Sequence, residues 1–427
     1  MDSPIEMSNH VVKSFKINSK GKDYQIRFAL HQLEGNQGFD AYFNFTKKIV
    51  EEQKSVFEEL PDFDFDSYTF IACYLPQADK DGMEHRNSTV LTSMHPLDQG
   101  GFNYNISTVS HEFFHAWNVE RLRPLSLEPF DYEDANISGE LWFAEGFTSY
   151  YGKLILCRAG VLTPDEYVKS LARDLNSLIN SPARKFSGPI GMSQQATFVD
   201  AATSIDPVNR ENTFISYYRY GSVLGLALDL SLRNMDEDKN LDDFMKILWN
   251  QYGRKEIPYE LSHLENSLTA YTSKEFSQNF FGQYVYNSDL PDFENLLASV
   301  GVKLEKEEPG QVDPGAEIIV KDGKWLIATN PKIGSSLYNA GMVKGDRILS
   351  INGKLTHQNT KPKQMMNSFG PGDEIKIVYN RFGDRKEVVL SLQENPSLAT
   401  TLDPKAEKSS KRRRNKWLEA KRSGEKN

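Results

Sequence analysis

Cysteine is scarce in this chain of 427 residues, which contains only Cys73 and Cys157. Two thiols exclude a disulfide framework and are too few for a cysteine-based metal site. Both lie in apolar segments, which favours buried thiols. Histidine is also infrequent, with 8 residues, so a cluster of histidines in this sequence is informative.

Long apolar runs and a basic, apolar start are absent as well. No run approaches the ~20 residues of a membrane span, and the first residues (Met-Asp-Ser-Pro-Ile-Glu-Met-Ser) lack the pattern of a signal peptide. A hydrophobic content of 39% and an aromatic content of 11% are typical of a soluble globular protein. For the sequence as given we expect a cytoplasmic protein, unless a preceding region carries an export signal.

The informative histidines lie in His-Glu-Phe-Phe-His at residues 111–115. On a helix, His111 and His115 share one face, about 6 Å apart along the axis, and can bind one metal ion. Glu112 is then placed to take a proton from a metal-bound water. The flanking apolar residues predict a buried helix. Buried polar groups need partners, and a metal ion would satisfy His111, His115 and Glu112 at once.

A catalytic zinc takes three protein ligands and keeps one open position. Glu145, thirty residues after His115 in Trp-Phe-Ala-Glu-Gly-Phe, is the candidate third ligand. The alternative is an ion pair with Arg121 or Arg123. We favour the role of Glu145 as a metal ligand, because the helix with the two histidines lacks a third ligand and a glutamate on a second buried helix can supply it. Glu140 is less suitable, since an acid at a helix start suits the helix dipole.

These segments resemble the gluzincin metallopeptidases and, more narrowly, the glycyl aminopeptidase family, whose members carry a C-terminal PDZ domain. Residues 82–87 (Gly-Met-Glu-His-Arg-Asn) are similar to the Gly-x-Met-Glu-Asn strand of related aminopeptidases, with His85 and Arg86 intervening before the Asn. The resemblance implies that Glu84 binds the free amino group of the substrate.

A further segment, Ser-Tyr-Tyr-Arg-Tyr-Gly at residues 216–221, resembles the Tyr-x-Lys-Gly element of those enzymes. By this resemblance Tyr218 hydrogen-bonds the oxyanion, and Tyr220 stands where the family has lysine. Because of that departure, Tyr217 remains a second candidate for the oxyanion donor.

The resemblance implies a zinc metallopeptidase with one Zn²⁺ per chain, held by His111, His115 and Glu145, with Glu112 as general base. We expect an aminopeptidase that releases small N-terminal residues such as Gly or Ala. One alternative is a zinc endopeptidase whose protein substrates are recruited by the PDZ domain. The other is a non-catalytic PDZ scaffold, which the intact Glu112 disfavours.

The predicted fold class is α+β. Residues 1–300 are expected to form a mainly helical, thermolysin-like gluzincin domain with a small sheet, followed by a linker or edge segment at 301–312. Residues 313–395 are expected to form a β-rich PDZ domain, because 334–353 combine a short helix, Ala-Gly, Gly-Asp-Arg-Ile and an Ile-Asn-Gly turn. Such domains add an extended peptide as a strand.

Shorter patterns predict individual elements. Residues 11–29 have the alternation of a β-hairpin. Thr163 begins a capping box with Glu166, which predicts a helix start. Apolar spacing predicts helices at 40–59, 139–160, 213–234, 241–253 and 273–287.

The end of the chain is basic. Residues 403–427 carry ten Lys or Arg against four Asp or Glu, a net charge of +6, which leaves −15 for the rest of a chain of net charge −9. We expect residues 396–427 to be a disordered or marginally helical, solvated extension, and no nucleic-acid partner, because the acidic body would repel nucleic acid. The expected partners are a peptide or protein substrate and a peptide at the PDZ domain, with the oligomeric state left open. The family usually has an N-terminal β domain, which we do not expect in this chain.

Overall fold

A five-stranded sheet begins with an antiparallel strand pair, which confirms the hairpin predicted at residues 11–29. This computed structural model describes residues 4–33, 35–199 and 209–422. The strand order is β1-β2-β3-β5-β4, so β4 is an edge strand. The strands are β1 (Val11–Ser19), β2 (Lys22–Gln32), β3 (Ser67–Tyr74), β4 (Asp81–His85) and β5 (Ser88–Ser93).

Helices dominate the chain from residue 101 to residue 299. Thr163 and Glu166 form the predicted capping box reciprocally. Within the described ranges, no helix is both long enough and apolar enough to cross a membrane. The helices are α1 (Phe39–Phe57), α2 (Gly101–Phe114), α3 (Leu141–Arg158), α4 (Pro164–Ile179), α5 (Pro189–Ser193), α6 (Ala196–Val199), α7 (Arg210–Thr213), α8 (Tyr217–Met235), α9 (Leu241–Gln251), α10 (Leu261–Tyr271), α11 (Lys274–Phe280) and α12 (Phe293–Ser299).

Aromatic packing holds α2 against both the sheet and α1. The ring of Phe113 lies 4.9 Å from that of Tyr68 and 5.4 Å from that of Phe70, both on β3. Just past the end of α2, Trp117 stacks on Phe57 of α1 at 4.9 Å. Aromatic pairs of this kind bury large apolar areas in defined orientations. The helix that carries the two histidines is therefore fixed in the core.

Two glycines let α8 cross α3 at backbone contact. A Cβ on Gly221 would lie 1.7 Å from the carbonyl oxygen of Trp142, and a Cβ on Gly146 would lie 2.3 Å from the Cα of Gly221. Any side chain at either position would force the helices apart. The crossing places the first turn of α8 beside the segment of α3 that carries Glu145.

A second unit with its own core follows α12. Its main sheet has the order β12-β11-β9-β8-β7, with β10 on β9. Trp325, Ile348 and Ile377 are at the centre of a hydrophobic cluster separate from the first. The remaining elements are β6 (Val302–Lys306), β7 (Ile318–Lys321), β8 (Lys324–Ile327), α13 (Ser336–Asn339), β9 (Arg347–Ile351), β10 (Lys354–Leu355), α14 (Pro362–Met366), β11 (Glu374–Arg381), β12 (Asp384–Ser391), β13 (Leu398–Leu402) and α15 (Lys408–Leu418).

The predicted linker and the predicted disordered tail are partly wrong. Strand β6, inside the expected linker, pairs antiparallel with β13 of the tail. The Thr400 hydroxyl donates to the carbonyl of Val168 on α4 at 2.6 Å. In α15, Trp417 is fully buried, and its indole donates to the Tyr150 hydroxyl at 2.9 Å. Net charge suggested a solvated tail, but strand pairing and one buried indole tie residues 398–418 to the helical domain.

Replacing Trp417 with Ala should lower the free energy of unfolding by about 3–5 kcal/mol, because the change leaves a cavity against α3 and removes the hydrogen bond to Tyr150. Urea denaturation measures the difference. Lys408→Ala, on the exposed start of α15, is the matched control and should change stability by less than about 0.5 kcal/mol. Equal stability of the two variants would contradict the packing of α15.

Candidate metal centre

Two histidines lie at the end of α2 with their imidazoles converging. His111 is in the last turn, and His115 is the residue that caps the helix. Their Nε2 atoms are 3.1 Å apart. His115 is 1% exposed, while the side chain of His111 keeps 19% exposure toward a cleft. The predicted pair of imidazoles thus points at one position that is open on one side.

The carboxylate of Glu145 reaches the same position from α3. Its Oε2 atom lies 3.3 Å from Nε2 of His111 and 3.2 Å from Nε2 of His115. The three ligand atoms are all within 4.8 Å of one another. The structure therefore brings together the three side chains that the sequence predicts as metal ligands.

The alternative ion pair for Glu145 does not form. Arg121 donates to the carbonyl oxygen of Ala116 at 2.8 Å, and Arg123 pairs with Glu128 at 3.0 Å. Both guanidinium groups thus bind acceptors other than Glu145. The positive partner that a buried carboxylate needs must come from the imidazoles or from a cation between them.

The three side chains shift one another's pKa values. Burial lowers the pKa of His111, which favours its neutral, metal-binding form. Burial opposes ionisation of Glu145, but the two imidazoles hold the pKa of that carboxyl well below its usual range. Burial also lowers the pKa of His115, yet the nearby carboxylates outweigh it and raise that pKa well above its ordinary value. Two nitrogens and one carboxylate oxygen are a donor set that zinc accepts.

Glu112 is buried beside this group. It is 5% exposed, and its Oε2 atom has no hydrogen-bond partner among the described residues. Burial raises the pKa of its carboxyl well above the usual value. An unpartnered buried carboxylate costs stability and is typical of a proton-transfer group rather than of a structural one.

The edge strand β4 lies directly against Glu112. A Cβ on Gly82 would be 2.2 Å from Oε1 of Glu112, so any side chain there would displace the Glu112 carboxylate. Two residues on, a carboxylate oxygen of Glu84 lies within 4.8 Å of the ligand atoms of Glu112 and His115. Glu84 is thus at the site, as the resemblance implied, and Gly82 is a site residue that the prediction did not single out.

Tyr218 faces the same cleft from the first turn of α8. Its ring centroid is 6.0 Å from that of His111, and it lines a cavity of about 270 Å³ together with His111 and Glu112. Tyr217 is 3% exposed and stacks on Tyr218 at 4.8 Å. Of the two tyrosines that the sequence left open, Tyr218 is the one on the cavity.

A loop contact fixes the orientation of His115. Its Nδ1 atom lies 2.6 Å from the carbonyl oxygen of Asn118, so Nδ1 donates and Nε2 is left free for a metal. The Asn118 amide in turn donates to the carbonyl of Ala144 at 3.0 Å and to the Thr148 hydroxyl at 3.1 Å. Sequence reasoning missed Asn118 and Thr148; the only signal was Asn118 in the His-Ala-Trp-Asn-Val continuation of the motif.

The chain has an α+β fold, with two histidines and one glutamate that could hold a metal ion beside a buried glutamate. Residues 104–224 match the model of the M61 glycyl aminopeptidase family, so the predicted resemblance is confirmed over that stretch. That stretch contains most of α2, all of α3 and the start of α8.

Among solved structures, the chain is similar to an aminopeptidase N family protein from Idiomarina loihiensis, with 24% identity and a TM-score of 0.76. That match covers 95% of this chain and 70% of the other, and it supports the predicted α+β fold. An M1 zinc metallopeptidase from Deinococcus radiodurans matches at 15% identity and a TM-score of 0.44, over 66% of this chain and 52% of the other. No curated protein matches the sequence.

Glu145→Ala should lower zinc affinity at least about 100-fold, because it removes one of three protein donors. Isothermal titration and metal analysis should give one zinc per chain for the unaltered protein. The matched control is Glu140→Ala at the N-terminal end of the same helix, where the carboxylate accepts from Ser126 and Ser138. Equal zinc affinity of the two variants would exclude Glu145 as a ligand.

Proposed function

We propose that this chain is a zinc-dependent aminopeptidase that releases N-terminal residues, with small ones such as Gly and Ala preferred. The observation that carries the proposal is the convergence of His111, His115 and Glu145 on one position, with the buried Glu112 alongside. When bound by these three ligands, zinc would lower the pKa of a water and polarise a peptide carbonyl. The family match over residues 104–224 supports a peptidase.

Glu112 is the proposed general base. It takes the proton of the attacking water and then delivers it to the leaving amine. Its raised pKa suits this double role, because the carboxyl must hold a proton between the two steps. The unpartnered Oε2 atom supports the assignment, since an atom committed to a structural hydrogen bond would not be available for a moving proton.

Tyr218 is the proposed donor to the oxyanion. Its position across the cleft from Glu112 lets the phenol act on the carbonyl oxygen while the carboxylate acts on the water. A fixed donor aimed at the developing negative charge is usually a large contribution to the rate. The Gly146–Gly221 crossing holds this phenol in place, since Tyr218 is three residues before Gly221.

Glu84 is the proposed anchor for the substrate amine. It lies on the edge strand β4, and the carboxylate reaches the position beside Glu112 and His115. A charge-assisted hydrogen bond to an N-terminal ammonium fixes the distance from that terminus to the scissile carbonyl. This geometry favours removal of single residues over internal cleavage.

One feature of the second unit favours the endopeptidase as the alternative function. We infer that residues 313–395 are a PDZ domain, in which β7 is an edge strand and α14 contacts it. An extended segment of a protein could add to β7 as a further strand and so be recruited to the metal centre. Cleavage of a blocked, recruited substrate would then not require Glu84.

Peptides that begin with Gly or Ala, either free or acetylated at the N-terminus, distinguish the two functions. The zinc-loaded protein should release the first residue from the free peptides only. Glu112→Gln should keep its zinc and lose activity by about 100-fold or more, because the base is gone and the ligands remain. Internal cleavage of both peptide forms would instead favour the endopeptidase.

Glu84→Gln should lower kcat/KM for free peptides by about 10-fold to 100-fold, since a charge-assisted contact to the ammonium is lost. Zinc content and thermal midpoint should stay unchanged, because Glu84 is outside the proposed ligand set. A variant with full activity on free peptides would show that the amine is bound elsewhere.

Removal of zinc with a chelator should abolish hydrolysis, and one equivalent of zinc should restore it. The fold should persist without metal, because the site lies within a large hydrophobic core that does not depend on it. Far-ultraviolet circular dichroism of the metal-free protein is the control. Hydrolysis that survives complete zinc removal would contradict the proposed mechanism.

A further inference from the structure

We propose that Lys153 binds a carboxylate of the substrate on the leaving-group side of the cleft, and that this contact makes short or acidic peptides preferred substrates. The inference rests on the proposed aminopeptidase function. Lys153 lines the same 270 Å³ cavity as His111, Glu112 and Tyr218. Nothing in the mechanism above uses this side chain.

Lys153 lies on the face of α3 that carries the third proposed ligand. Residues 145, 149, 152 and 153 follow the i, i+4, i+7, i+8 spacing of one helical face, and Ser149 and Gly152 line the cavity with Lys153. Eight residues of helix separate Glu145 from Lys153, a rise of about 12 Å. A lysine side chain spans about half of that distance, so a carboxylate one or two residues past the scissile bond is within its reach.

The cavity offers little else to bind an anion. Among the residues that line it in the described part of the chain, Ser107, Thr108 and Ser149 are small and uncharged, and Lys153 has the one fixed positive charge. Glu84, the proposed amine anchor, is not part of this lining. The cavity runs from Thr108 and Glu112, which lie against β4, to Lys153 on α3, so Lys153 is at the end of the cavity away from β4.

The Lys153 ammonium pairs with one carboxylate and keeps further donors for another. This ammonium pairs with Asp174 of α4, and the lysine side chain is 36% exposed against 11% for the aspartate. An ammonium has three donors, and one carboxylate does not use all of them. Asp174, which does not line the 270 Å³ cavity, partly neutralises the ammonium, so a substrate carboxylate gains less than it would from an unpaired lysine.

A short free peptide matches the charges at the two ends of this cleft. Its ammonium meets Glu84 near β4, and its carboxylate meets Lys153 on α3. The carboxylate can be the C-terminus of a dipeptide or tripeptide, or the side chain of an acidic residue after the scissile bond. The chemistry is the same in both cases, and only the position of the carboxylate differs.

The test is equilibrium binding to the zinc-loaded Glu112→Gln variant, in which turnover does not interfere. Four probes are titrated: Ala-Ala, Ala-Ala-amide, Ala-Glu-amide and Ala-Gln-amide. Each is measured in the Glu112→Gln background alone and with Lys153→Met, Asp174→Asn or Lys169→Met added. Lys169 is the matched control, because it pairs with Asp165 at 2.7 Å on the exposed face of α4.

A carboxylate probe should bind about five- to tenfold more tightly than its neutral partner, as a partly shared charge-assisted contact implies. Lys153→Met should reduce the ratio of these two affinities to about one. Lys169→Met should leave the ratio unchanged, and Asp174→Asn should increase it. The Ala-Ala pair reports the C-terminal carboxylate, and the Glu/Gln pair reports the acidic side chain.

Three other results would contradict the inference or the function on which it rests. A ratio that survives Lys153→Met means that Lys153 is only a structural partner of Asp174, and the inference fails while the aminopeptidase proposal stands. Absence of binding by every probe, in a variant with one zinc per chain, removes both the inference and the proposed function. A ratio that falls with Asp174→Asn would show that the pair, and not the lysine, forms the site.

Discussion

The backbone contact between α3 and α8 is the constraint on which the site depends. Gly146 and Gly221 permit it, and it fixes the distance between Glu145 and the first turn of α8. On its other side α3 lies close to α2, where a Cβ on Gly152 would be 3.5 Å from the Cα of His111. The position of α3 therefore sets the distance from Glu145 to the histidines on α2 and to Tyr218 on α8. Packed helices at such short distances cannot shift without a clash, so the geometry is rigid.

Three acidic side chains, of which Glu112 is buried and Glu84 and Glu145 are partly buried, give the cleft its electrostatic character. Glu145 of α3 lies within 4.8 Å of His111 and His115, and Glu84 of β4 and Glu112 of α2 lie within 4.8 Å of His115. Carboxylates this close repel one another, and burial increases the repulsion because little water screens it. A divalent cation relieves the repulsion at the centre, and an ammonium relieves it at Glu84. The same arrangement is consistent with the proposed metal site and with the proposed binding of a substrate ammonium at Glu84.

The C-terminal segment anchors the far end of the same helix. Arg158, in the last turn of α3, donates to the carbonyl of Trp417 at 3.1 Å and pairs with Asp242 at 2.9 Å. Tyr150, two turns earlier, accepts from the Trp417 indole and donates to Asp229 at 2.6 Å. The basic composition of the tail did not predict that the tail packs on α3, because that packing depends on the Trp417 indole and on the pairing of β13 with β6.

The sequence by itself determined the local chemistry. The spacing of His111 and His115, the position of Glu145 on an apolar helix and the capping box at Thr163 depend only on helical periodicity, which a few consecutive residues define. The tertiary structure alone decided that Tyr218, and not its neighbour, faces the metal position, and that residues 398–418 are ordered. Both depend on contacts between segments far apart in the chain, and no local pattern records such contacts.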